Sequence, residues 1–66
     1  MKIFLNGQAV DCGDARTVEE LIQQHQLSPE TTLVERNGAA LRRHDWPAQS
    51  LRESDRLEIL RVAAGG

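Results

Sequence analysis

The sequence predicts an α+β fold in which one main helix packs on one face of a small mixed sheet. Three observations carry that expectation. Two alternating stretches are each broken by an Asn-Gly pair, Asn6-Gly7 and Asn37-Gly38, the pair favoured where both central residues of a tight hairpin need positive φ. Between them, Thr17-Val18-Glu19-Glu20 has the form of a capping box that opens a helix. The closing run from Arg56 to Val62 carries apolar residues on both faces, Leu57 and Ile59 on one and Leu60 and Val62 on the other. Such a pattern suits a central strand, or one whose outer face meets a partner.

The first hairpin sets its own register. Met1, Ile3 and Leu5 alternate with Lys2, Phe4 and Asn6, the period of a half-buried strand. Folding about Asn6-Gly7 puts Ile3 opposite Val10, Met1 opposite Cys12 and Lys2 opposite Asp11. Apolar pairs then share one face and an opposite-charge pair takes the other. Gly13-Asp14 breaks the strand. Thr17 is the expected N-cap, with Glu20 reaching back to it, and Glu19 and Glu20 suit the positive end of the helix dipole. Val18, Leu21 and Ile22 line one helical face. Pro29 disfavours helical geometry at Ser28, so the helix should end near Gln26-Leu27.

The second hairpin runs from Thr31 to Arg36 and returns after Asn37-Gly38, with Val34 facing Leu41 and Glu35 facing Ala40. Trp46 to Leu51 reads as an irregular crossing or a short helical turn. Glu53-Ser54-Asp55 turns the chain into the last strand. That strand can lie parallel to the first because the helix and second hairpin supply the long connection a parallel pair needs. The expected architecture is a β-grasp over residues 1–61, with a flexible tail over 62–66.

Composition narrows the function classes. A chain of 66 residues is one domain, with an expected net stability of roughly 3–10 kcal/mol. Its single Cys12 and two separated histidines, His25 and His44, allow no disulfide framework and give no zinc-site spacing. The core must therefore hold the fold. A formal charge of −2 gives no electrostatic footprint for nucleic acid or an anionic membrane. No apolar run reads as a membrane span or signal peptide, which with the lone thiol points to the cytoplasm.

Length, element order and several segments together resemble the bacterial ThiS family, the ubiquitin-like sulfur carriers of thiamine biosynthesis. The segments are Met1-Lys2-Ile3-Phe4-Leu5-Asn6-Gly7, Thr17-Val18-Glu19-Glu20-Leu21, Asp45-Trp46 and Val62-Ala63-Ala64-Gly65-Gly66. Two positions depart from the family pattern. Arg42 stands where a proline is frequent, and Glu53-Ser54-Asp55 where an Asp-Gly-Asp turn is usual. Serine makes a type I turn readily and a positive-φ turn only at a cost, which leaves that turn's geometry open.

The resemblance implies a function carried by the C-terminus. Gly66 would be the modified residue, first as an acyl-adenylate and then as a thiocarboxylate. Ala63, Ala64, Gly65 and Gly66 would enter partner active sites. The implied partners are an adenylating enzyme related to the ubiquitin activators, a sulfur donor such as a cysteine desulfurase system, and thiazole synthase. ATP and the sulfur source are used by those partners, and the carrier itself is expected to bind no cofactor and to be monomeric when free. The rival readings are the small-subunit sulfur carrier of molybdopterin synthase and a noncovalent β-grasp binding module. An RNA-binding module would need basic and aromatic residues together, and here the aromatics are Phe4 and Trp46 alone.

Other residues have a bland and a sharper reading. Cys12, opposite Met1, is a small buried hydrophobe or else a persulfide site, with nothing basic beside it to favour a thiolate. His25 suits the negative end of the helix, and His44 a solvated loop. No Ser/His/Asp or Cys/His set can be assembled, so intrinsic enzyme activity is not expected. Arg36, Arg42, Arg43, Arg52, Arg56 and Arg61 crowd the second half, as a solvated surface or as a docking patch for an acidic partner. Phe4, Leu60 and Val62, with Arg61, are the candidate docking residues. Trp46 reads as a plug over the core edge.

Overall fold

The computed structural model describes residues 1–63. The chain forms β1 (Lys2–Leu5), β2 (Gln8–Asp11), α1 (Val18–Gln24), a 3-10 turn (Pro29–Thr31), β3 (Thr32–Arg36), β4 (Ala39–Leu41), a second 3-10 segment (Arg43–Ala48) and β5 (Arg56–Arg61). The five strands make one sheet in the order β2-β1-β5-β3-β4. β5 is the central strand, parallel to β1 and antiparallel to β3. The β-grasp architecture expected from the sequence is the one observed.

Both hairpins keep the register set by their turns. Lys2 pairs Asp11 and Ile3 pairs Val10, while Val34 pairs Leu41 and Glu35 pairs Ala40. The turn residues take φ of 50° and 84° at Asn6 and Gly7, and 51° and 88° at Asn37 and Gly38, as a two-residue turn matched to strand twist requires. Ile3, Val34 and Leu57 from the sheet meet Val18, Leu21 and Ile22 from α1, and Cys12 and Trp46 close the ends of the core. Trp46 is 2% exposed and plugs the core edge, with its indole Nε1 unpartnered.

Four local details differ from the sequence reading. The helix ends at Gln24, with His25 as C-cap and Gln26 at φ 57°. There Gln26 N–H donates to the Gln23 carbonyl at 3.0 Å and Leu27 N–H to that of Ile22 at 3.1 Å. That is a Schellman termination, and it stops the helix before Pro29 can. Thr17 Oγ1 accepts from Glu20 N–H at 3.1 Å, but the Glu20 carboxylate accepts from Arg16 N–H at 2.7 Å, one residue beyond the expected cap. Thr31 belongs to a 3-10 turn because Pro29, with its fixed φ, starts one. The crossing is helical earlier than expected, from Arg43 to Ala48.

The turn left open by the sequence is resolved. Ser54 takes φ 68°, so serine occupies the left-handed position without glycine's freedom.

Candidate functional site: the base of the C-terminal tail

Ala63 is the last described residue, so Ala64, Gly65 and Gly66 of the expected reactive tail lie outside the described residues. What can be built is the strand that carries them. β5 is held along its first half by side chains from both Asn-Gly turns. Asn6 Oδ1 accepts from Ile59 N–H at 2.7 Å and Asn6 Nδ2 donates to the Ile59 carbonyl at 3.3 Å. The carboxamide thus continues the β1 ladder one step past the point where β1 turns away. On the other flank, Asn37 Oδ1 accepts from Arg56 N–H at 3.2 Å, and Asn37 N–H donates to the Arg56 carbonyl at 2.8 Å.

A buried ion pair fixes the entry to the strand. Arg36 Nη2 meets Asp55 Oδ2 at 2.7 Å, with the side chains 15% and 7% exposed. The same guanidinium donates to Gln49 Oε1 at 3.0 Å and to the Ser50 carbonyl. Asp55 Oδ2 also accepts from Arg52 N–H at 2.8 Å. Arg36 is therefore a brace between β3, the crossing and the β5 turn, and is withdrawn from any docking patch.

The second half of β5 is held differently. Leu33 pairs Leu60 across β3 and β5. Leu33, Leu60 and Val62 are 53%, 52% and 44% exposed, an apolar cluster on the face away from α1. Val62 N–H donates to the Thr31 carbonyl at 2.8 Å, which anchors the strand side of the tail to the 3-10 turn. Of the candidate docking residues, the structure brings Leu60 and Val62 together and adds Leu33, which the sequence presented only as a strand residue. Phe4 shares their face but pairs beside Arg56, whose guanidinium carbon lies 5.6 Å from its ring centre. That is about 13 Å along the strand from Leu60 at a strand's rise per residue. Arg61 alternates onto the face of Leu57 and Ile59. The arginines do not gather on one face.

Of the remaining candidates, Cys12 takes its bland reading as a buried residue, while His44, expected in a loop, lies in the second 3-10 segment. Cys12 is fully buried, with Sγ 3.2 Å from the Met1 carbonyl. His44 is exposed, its Nε2 3.2 Å from Asp45 Oδ1. Two carboxylates are held below their ordinary values, Asp11 at the end of β2 and Glu30 in the first 3-10 turn. Asp11 is lowered by the backbone hydrogen bond from Gly13 N–H and then by the N-terminal ammonium. Glu30 is lowered first by the Ser28 hydroxyl. Among the described residues no group of three or more His, Cys, Asp or Glu is placed to hold a metal ion, and no helix is long and apolar enough to cross a membrane.

The ThiS family model matches residues 3–66. The chain belongs to the ThiS family. Its 66 residues are 36% identical to a segment of a thiazole synthase from Magnetococcus marinus, of which they cover 20%. The chain thus spans about a fifth of that relative's length. It is 29% identical to the sulfur carrier protein ThiS of Escherichia coli, with both chains covered in full. The crystal structure of the thiamine biosynthesis protein ThiS from Geobacter metallireducens superposes with a TM-score of 0.81 at 29% identity, over the whole of both chains. Its solution structure gives 0.79, with 88% of that chain covered.

Proposed function

We propose that this ThiS-family chain is a sulfur carrier for thiazole formation in thiamine biosynthesis, with Gly66 as the residue that carries sulfur. The observation that supports it most directly is a family match running through Gly66, downstream of a strand braced along its first half. A terminal carboxylate, with a pKa of about 3.5, is ionised at neutral pH and is a poor acyl donor. A partner adenylating enzyme joins it to AMP from ATP, with pyrophosphate leaving. Persulfide sulfur from a donor, such as a cysteine desulfurase system, then displaces AMP to give an acyl disulfide, and a second thiol cleaves its S–S bond, leaving the thiocarboxylate and a disulfide of the two thiols. Thiazole synthase takes the sulfur. The likeness of the whole chain to one segment of a thiazole synthase supports that last partner.

The glycines serve this chemistry by letting the backbone approach a buried nucleotide without side-chain clash. Five extended residues from Val62 to Gly66 reach roughly 16 Å, enough to enter a deep site while the body docks outside. In this reading the body is a handle and not a catalyst. The apolar cluster of Leu33, Leu60 and Val62 is where that docking would begin, at the root of the tail.

The test is intact mass before and after incubation with the activating enzyme, ATP and a sulfur source. The expected gain is that of one oxygen replaced by sulfur, mapped to Gly66. Removing Gly66 should leave the fold intact and abolish the gain, because the reacting carbon moves by about 3.3–3.6 Å. An unchanged rate of adenylation in that truncated chain would defeat the proposal.

A further inference from the structure

The two Asn-Gly turns look equivalent in sequence, and the structure separates them chemically. An asparagine followed by glycine is open to attack on itself. The glycine backbone nitrogen, on losing its proton to base, bonds to the asparagine Cγ, and the Cγ–Nδ2 bond breaks to release ammonia. Water then opens the resulting succinimide to aspartate or isoaspartate. The reaction needs only water, and no electrons are gained or lost. Neither glycine is crowded from outside its turn: chain neighbours apart, no heavy atom lies within 4 Å of where a Cβ would sit on Gly7 or on Gly38, and both asparagines are exposed.

The asparagine amides are not equally free to turn. Asn6 is tied at both ends to one residue of the central strand, through Oδ1 to Ile59 N–H at 2.7 Å and through Nδ2 to the Ile59 carbonyl at 3.3 Å. Moving its Cγ toward Gly7 N breaks both bonds. Asn37 has one longer bond, Oδ1 to Arg56 N–H at 3.2 Å, and its Nδ2 is joined to none of the described residues. Each turn closes an edge strand, and the one closed by Asn37, β4, has three residues against four in β2.

The products differ in the same direction. An aspartate at position 37 keeps the oxygen that accepts from Arg56 N–H. An aspartate at position 6 sets a carboxylate oxygen against the Ile59 carbonyl, where a donor had been. We propose that Asn37-Gly38 is a spontaneous modification site of this chain, converting to aspartate and isoaspartate in the folded state, while the fold protects Asn6-Gly7.

Peptide mapping of the folded chain, aged in mildly alkaline buffer made with heavy-oxygen water, reads both sites in one sample. The expected result is conversion at Asn37 roughly tenfold faster than at Asn6, the effect of about one additional net hydrogen bond. In urea, with the fold gone, the two rates should converge. Equal rates in the folded chain overturn the proposal, and so does the same bias in urea, which would place the cause in the flanking sequence. Separately, Asn6→Asp should lower Tm and Asn37→Asp leave it near that of the parent; equal losses would overturn the protection argument.

Discussion

The two halves of β5 are built on opposite terms. From Arg56 to Ile59 the strand is fixed by Asn37 on one flank and Asn6 on the other, behind a turn closed by the Arg36–Asp55 pair. From Leu60 to the strand's end at Arg61, and on through Val62 and Ala63 beyond it, the side chains are exposed, and the outer face is apolar at Leu60 and Val62. The first half spends polar side chains on holding the backbone in place. The second keeps its apolar side chains exposed, next to the residues that the proposed chemistry would have a partner reach. The proposed role has a use for both, a strand whose course is fixed by side-chain hydrogen bonds and an exposed apolar surface beside its end.

Breaking the base should produce the largest effect. Asp55→Ala leaves the Arg36 guanidinium largely buried without its counter-charge and frees Arg52 N–H, and removal of one partner of such a pair costs about 3–5 kcal/mol. Urea unfolding measures it directly, and a loss below about 1 kcal/mol would mean that Gln49 and Ser50 hold Arg36 unaided. The next effect is at Asn6. Asn6→Gly keeps the positive φ and removes both bonds to Ile59, for an expected loss of about 1–2 kcal/mol. Faster exchange of the Ile59 amide should accompany it. Asn37→Gly, which gives up one side-chain bond, should cost less, and a larger cost there would reverse the assignment of the main clamp.

Most of the fold was legible because its signals are local. Asn6-Gly7 and Asn37-Gly38 set register through the turns they form, and the period-two alternation of β1 fixed which residues face the core. The brace was not legible, because Arg36 and Asp55 are nineteen residues apart and no spacing rule joins them. The asparagine side-chain clamps were hidden for a related reason: the residues were already accounted for by their turns. At the tail, the sequence singled out Leu60 and Val62 through the two-faced pattern of β5, but Leu33 joins them only once the β3–β5 register is known. The helix end is not legible in the sequence because Gln26 adopts a conformation that glycine usually marks.

That residue and Ser54 give a smaller prediction of opposite sign. Both hold positive φ without being glycine or asparagine. Gln26→Gly and Ser54→Gly should each stabilise the chain by about 0.5–1 kcal/mol, provided relief of the left-handed cost exceeds the added entropy of the unfolded chain. Thermal melts of the two variants check this. A loss of Tm at Gln26 would mean that its side chain contributes more than its backbone costs.

The smallest effect on stability belongs to the exposed half of β5, and it is the one that separates docking from packing. Leu60 sits opposite Leu33 on a face that the described residues leave exposed, so Leu60→Ser gives up one cross-strand pair, a matter of about 0.2–1 kcal/mol. If that face is where the activating enzyme seats the carrier, the same change should slow adenylation of Gly66 on the order of tenfold, as loss of a central apolar contact does at other interfaces. Glu35→Ser, on the same face but nearer the braced half, is the control, with adenylation expected to stay near the parent rate. Equal slowing by the two variants would mean that the partner reads the whole sheet face. No slowing by Leu60→Ser would leave the tail alone as what the partner recognises.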